Sequence, residues 1–147
     1  METPVHAAVS AILAAIFYPA YGINSFFIIA GGVLIDIDHY LWYILRFKKY
    51  NMKECYEYCA TGTKKDNWKY VIGSLFVFHN IEFLALSIAL SFYFPQAFMF
   101  TIGLLSHYLL DLVWHIRGIK KPTHALSLII WLIRKIKAKI QLSRKVL

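Results

Sequence analysis

Four long apolar stretches dominate the chain, and a fifth, amphipathic one closes it. Residues 5–20 are apolar apart from His6 and Ser10, and residues 23–45 are apolar apart from a polar start and the cluster of Asp36, Asp38 and His39. Residues 70–94 and 97–116 follow in the same manner. Each stretch is near the ~17–25 residues that cross hydrocarbon as a helix, the first at the short end. The pattern predicts spans over 5–20, 23–46, 69–94 and 97–117, with a polar connector over 47–68. In the last segment Leu126, Ile129, Ile130, Ile133, Ile136 and Ile140 recur every three or four residues, with Arg134, Lys135, Lys137 and Lys139 between them. Its uncharged part, 125–133, is too short to span, and Thr123 after Pro122 is a helix start. The reading is an amphipathic helix over 123–143 lying in the membrane interface against anionic headgroups. The alternative is a helix covering the protein's own cytoplasmic face.

Composition strengthens the membrane reading. The 147 residues are 59% hydrophobic and 16% charged, with a mean hydropathy of +0.54, whereas soluble domains have about half apolar and about a quarter charged residues. The expected fold is therefore all-α: a single integral membrane domain over 1–147, a bundle of four spans in two hairpins plus the interfacial helix. The first stretch lacks a basic leader, Glu2 being its only charge, so cleavage as a signal peptide is not expected. Cys55 and Cys59 lie one helical turn apart in the polar connector and read as structural thiols.

The sixteen Lys and Arg fall in three blocks, 46–69, 117–121 and 134–145, holding seven, three and six of them. The turns at 19–24 and 94–96 carry no charge. Positive residues stay on the cytoplasmic side of short loops, so both termini and the connector are expected there, in a multi-pass protein of the cell membrane. The net charge of +8 follows from that sidedness, and no nucleic-acid partner is expected, because the cations neighbour apolar spans rather than forming a soluble basic face.

Against this background the ionisable residues inside the spans stand out. Asp36, Asp38, Glu82 and Asp111 lie in stretches without Lys or Arg, alongside His6, His39, His79, His107 and His115. A carboxylate in an apolar medium needs a counter-charge, and a divalent metal selects His plus carboxylate. At about 1.5 Å per helical residue these groups all fall in the cytoplasmic half of the bundle. The pairs Asp36–His39 and His79–Glu82 are i,i+3, and His107–Asp111 is i,i+4, so each pair shares a helix face. The predicted ligands are His6, Asp36, His39, His79, Glu82, His107 and Asp111. In a regular helix Asp38 points about 200° away from Asp36; a break near Gly31 and Gly32 would bring it in, and otherwise it serves as an outer acceptor for a histidine. His115 and His124, nearer the interface, read as hydrogen-bonding residues, and Gly31 and Gly32 as close-packing residues.

The motif Gly32-Val33-Leu34-Ile35-Asp36-Ile37-Asp38-His39 resembles the hallmark Gly-x-Leu-Leu-Pro-Asp-x-Asp-His of the membrane-bound metal-dependent hydrolases, a family of LexA-regulated inner-membrane proteins. His6 and His107-Tyr-Leu-Leu-Asp111 match its other signatures in order, over about residues 3–115. Ile35 stands in place of the family's Pro, and its His-Arg-x-x-Thr-His element is present only as His79-Asn80-Ile81-Glu82. The resemblance implies a small helical membrane enzyme, distantly similar to zinc-dependent phospholipase C and P1 nuclease, which cleave phosphate esters.

Four carboxylates would balance two divalent ions, zinc first, with manganese or iron as alternatives. Asp36 and Asp38 are the catalytic candidates, Asp38 as general base. The expected substrate is a phospholipid or isoprenoid-phosphate ester among the membrane lipids, drawn by Lys48, Lys49, Lys120 and Lys121. The rival expectations are a metal or proton transporter, and a scaffold around a structural metal.

Overall fold

In the computed structural model, which describes residues 3–61, 74–118 and 124–146, the first apolar stretch forms α1 (Thr3–Tyr21). Gly22 then takes φ +54, a left-handed conformation that glycine adopts without steric cost. The chain turns back through a 3-10 segment (Gly22–Phe26) into α2 (Phe27–Val33), which packs against α1. A second break follows, because Val33 leaves helical geometry (φ −127, ψ −48) and Leu34–Asp36 forms a 3-10 turn before α3 (Ile37–Phe47). Lys48, at φ 57, ends α3 with its N–H on the Ile44 carbonyl (2.8 Å). α4 (Met52–Thr61) occupies part of the expected connector and packs on α3, with Cys55 and Cys59 as free thiols. Its neighbour Lys49 pairs with Glu54. Residues 62–68 of the connector lie outside the described residues.

The third apolar stretch departs from expectation. A helix over 69–94 is predicted; the helix present is α5 (Ile81–Ser91), and 69–73 lie outside the described residues. Before it come β1 (Ser74–Leu75) and a 3-10 turn (Val77–His79). The cause is local: Asn80 is extended (φ −114, ψ 158), and its side-chain oxygen accepts from Phe83 N–H at 2.8 Å, an N-cap that starts the helix late. β1 pairs in parallel with β2 (His124–Ala125). α6 (Pro95–Gly118) begins at a proline, suited to a first helical position, and packs against α5, α2 and α1. α7 (Leu128–Val146) starts later than the predicted 123, because Ser127 caps it by accepting from Ile130 N–H (3.2 Å). Pro122 and Thr123 lie outside the described residues.

The chain is thus mostly helical, with two helical stretches long and apolar enough to cross a membrane, Thr3–Phe47 and Pro95–Val113; Ile81–Ser91 is shorter. The helices meet at nearly bare backbone. A Cβ on Gly31 would strike the Phe100 carbonyl oxygen, one on Gly103 the Ile28 oxygen, and one on Gly32 the Ser10 Oγ. Ala14, Ile28 and Met99 form a small core there, flanked by Leu13, Phe17, Ile29 and Ile102. Most other large apolar side chains, among them Ile12, Ile16, Leu41, Leu45, Leu109 and Leu112, face outward, as side chains in contact with lipid do.

Candidate metal centre

The close contact of α1, α2 and α6 and the two interruptions of the helices bring one set of polar side chains together. His107, on α6, is fully buried, and its Nδ1 lies 2.9 Å from the Gly32 carbonyl oxygen. A carbonyl only accepts, so Nδ1 carries the proton and Nε2 of the neutral ring presents a lone pair. His79, in the 3-10 turn before Asn80, places Nδ1 3.0 Å from Asp38 Oδ2, which also accepts from Phe78 N–H at 3.1 Å. In the neutral ring its Nε2 is therefore also a lone pair; in the charged ring Nε2 is a second N–H and its contact with His107 is a hydrogen bond. The two Nε2 atoms face each other across 3.1 Å.

Carboxylates close the arrangement. Asp36 Oδ1 is 3.5 Å from His79 Nε2 and 3.6 Å from His107 Nε2. Asp111 Oδ2 is 3.3 Å from His107 Nε2 and 4.0 Å from His79 Nε2. Two lone pairs and two carboxylates repel unless a metal ion, or a proton on one of the rings, lies among them. Among the described residues, every ion pair of Asp36, Asp38 and Asp111 is with a histidine. Ligands about 2.0–2.2 Å from one ion at tetrahedral angles are about 3.3–3.6 Å apart; the contacts of His107 with Asp111 and of Asp36 with both histidines fall in that range, while the 3.1 Å and 4.0 Å contacts lie outside it.

The remaining members flank this centre on two sides. His6 stacks on His107 (ring centroids 4.0 Å apart) and places Nε2 3.3 Å from Asp111 Oδ1. His39 stacks on Phe76, with Nδ1 2.9 Å from Asp38 Oδ1 and 3.8 Å from Asp36 Oδ1. The first approach lacks hydrogen-bond alignment: His39 Nδ1, Asp38 Oδ1 and Asp36 Oδ1 are all buried without a hydrogen-bond partner. Three groupings have ligand atoms within 4.8 Å of one another: His6, His107 and Asp111; Asp36, His79 and His107; Asp38, His39 and His79. Burial is uneven: the side chains of His107 and His79 are 0% and 2% exposed, those of Asp36 and Asp111 11% and 15%. The cluster therefore has a rim at the carboxylates.

The structure brings together His6, Asp36, His39, His79, His107 and Asp111, with Asp38 among them. The break at Leu34–Asp36 explains why Asp36 and Asp38 serve one cluster although they are two residues apart. Asp38 lies behind His79 as its orienting acceptor. Glu82 is the correction: it is not in the cluster. Its carboxylate accepts from Ser127 Oγ (2.5 Å), Leu128 N–H (3.0 Å) and Ile129 N–H (3.3 Å) at the start of α7, where unpaired helix N–H groups favour an anion. Lys120 and Lys121 lie outside the described residues. Sequence reasoning missed Thr3, whose Oγ1 is 3.5 Å from Asp36 Oδ2, and Tyr108, whose hydroxyl donates to the carbonyls of Phe78 (2.6 Å) and Asn80 (3.2 Å). Tyr108 is next to His107 in sequence, but only the non-helical course of 76–80 makes it a strut for His79.

Comparison with family models, curated proteins and solved structures gives no match.

Proposed function

We propose that the chain is a membrane-embedded, metal-dependent hydrolase of a lipid-like phosphoester, working at the cytoplasmic side of a multi-pass bundle with both termini cytoplasmic. The Nε2 atoms of His79 and His107, 3.1 Å apart between two carboxylates, carry this reading, because a metal ion there would take the lone pairs of both neutral rings and balance the carboxylates. One ion would be held by His79 Nε2, His107 Nε2, Asp111 and Asp36. Asp36 Oδ1, Asp38 Oδ1 and His39 Nδ1, which approach one another without an aligned hydrogen bond, support a second, which Asp36, Asp38 and His39 would hold. Three protein ligands leave that second position open, which is the mark of a catalytic rather than a structural site. Divalent ions there would supply an activated water at neutral pH and polarise a phosphoryl oxygen.

The protein's own groups set the rest. Asp38 and the Gly32 carbonyl fix the two ring tautomers, and His6 steadies Asp111. The partly exposed rim at Asp36, Asp111 and His39 is where a headgroup would approach. Exposed Leu34, Ile37, Val77 and Leu112 lie beside the ligands in sequence and favour a substrate with a hydrocarbon tail.

The carboxylates on both sides of the His79–His107 pair favour a second reading, a closed structural ion with no catalysis. Elemental analysis of tag-free protein in detergent, joined to an assay on phosphomonoester and phosphodiester lipids, separates them. Two ions per chain with turnover, and loss of one ion together with all turnover in His39→Ala, is the expected result. A single ion and no turnover on any phosphoester would leave the structural reading in place. Less than about a tenth of an equivalent after metal is offered back would sink both, the carboxylates then being held by protonation.

A further inference from the structure

α7 carries six Lys and Arg and no acidic residue between 128 and 146. At about 100° per residue, Ile129, Leu132, Ile133, Ile136 and Ile140 fall within an arc of about 100°, with Lys137 at one edge and Arg134 and Lys135 beyond the two edges. The five apolar side chains are all exposed. An apolar stripe bordered by cations and without anions matches the headgroup boundary of an anionic lipid surface and repels a basic partner.

The segment leading into α7 grips the turn that carries His79 from both sides. Before the turn, Ser74 and Leu75 pair with His124 and Ala125. After it, Ile81 N–H donates to the Leu126 carbonyl (2.9 Å), and the Glu82 carboxylate holds Ser127 Oγ, Leu128 N–H and Ile129 N–H. His79, in a three-residue 3-10 turn, is thus held not only by Asp38 and Tyr108 but also by a strap continuous with α7.

We infer that α7 docks on anionic lipid and that Glu82 transmits this docking to His79, making metal affinity depend on the lipid. The coupling rests on the metal reading above; the docking does not.

The test places the full chain in nanodiscs of phosphatidylcholine alone or mixed with phosphatidylglycerol. Zinc affinity is read by competition with a chromophoric chelator, and hydrogen exchange is followed over 128–146. Zinc is expected to bind about tenfold more tightly in the anionic discs, within the usual range of coupling between sites, with slower exchange in α7. Glu82→Gln should keep the slow exchange but lose the lipid dependence of zinc affinity. A Lys135→Glu, Lys137→Glu double variant, which leaves the strap intact, should lose both. Equal zinc affinity of the wild type in the two lipids overturns the coupling, and lipid-independent exchange overturns the docking. Zinc binding in neither disc, with exchange still lipid-dependent, overturns the metal reading and the coupling with it, leaving the docking standing.

Discussion

At the scale of the residue, the site is defined by which atoms of each ring remain available. Two histidines would become ligands of the same kind because different acceptors, a carboxylate for His79 and a backbone carbonyl for His107, take the same ring nitrogen. Outer partners of this sort fix tautomer and ring direction, and losing one costs about 10–100-fold in metal affinity. Tyr108 extends the argument by one step. Its hydroxyl ties the Phe78 and Asn80 carbonyls to the helix that carries His107 and Asp111, so it sets the spacing between His79 and His107. Tyr108→Phe should lower zinc affinity within that range and alter the visible spectrum of the cobalt-substituted protein, with helical content unchanged by circular dichroism. An unaltered cobalt spectrum would mean that the hydroxyl only packs.

The elements show where sequence periodicity is informative and where it stops. The spacing His107–Asp111 could be read directly, because α6 is regular over 95–118 and side-chain faces follow from helical angles; Asp36 and His39 come together across the junction of the 3-10 turn and α3. Asp38 and Glu82 could not be read in this way. Asp38 joins the cluster only because Val33 leaves helical geometry, and apolar residues on both sides of that break hide it from a hydropathy pattern. Helical spacing assigns Glu82 to the cluster only if the helix of 81–91 extends back through His79. The Asn80 N-cap separates the two residues instead, and the Glu82 carboxylate is drawn to a helix start 45 residues away in sequence. Such long-range capping leaves no periodic trace. The close approach of α2 and α6 was legible in Gly31 and Gly32, but its third member, Gly103, was not singled out. Gly103→Ala would set a methyl group against the Ile28 carbonyl oxygen, an atom that cannot rotate away. The expected cost is about 1–3 kcal/mol of stability. Because the strain also moves α6 and its two ligands relative to α2, zinc affinity should fall along with the thermal midpoint. A midpoint equal to that of the wild type would show that the two helices can separate freely.

Across the whole molecule, the polar cluster sits among helices whose described residues expose many large apolar side chains. Placing His6, His79 and His107 with three aspartates in one buried region costs free energy unless their charges are balanced, and the surrounding helices are held by small contacts: a glycine-lined seam, the Ser87–Thr101 hydroxyl pair at 2.6 Å and a core of few residues. The proposed ions would therefore contribute a large share of the stability of the fold. A ligand that binds only the folded chain stabilises it by about 4 kcal/mol when present at a thousand times its Kd, and for a chain of this size about 1 kcal/mol moves the midpoint by roughly 3 °C. Chelation of the detergent-purified protein should accordingly lower its thermal midpoint by about 10 °C, and restoring zinc or manganese should recover it. Asp36→Asn lets the direction of the effect be checked. This variant removes one buried negative charge, so without metal it should be more stable than the chelated wild type; with metal it should be less stable, because the residue shared by both proposed ions has lost its charge. If chelated and metal-loaded protein melt at the same temperature, the cluster is balanced by protons alone, and both the hydrolase and the structural-metal readings fail.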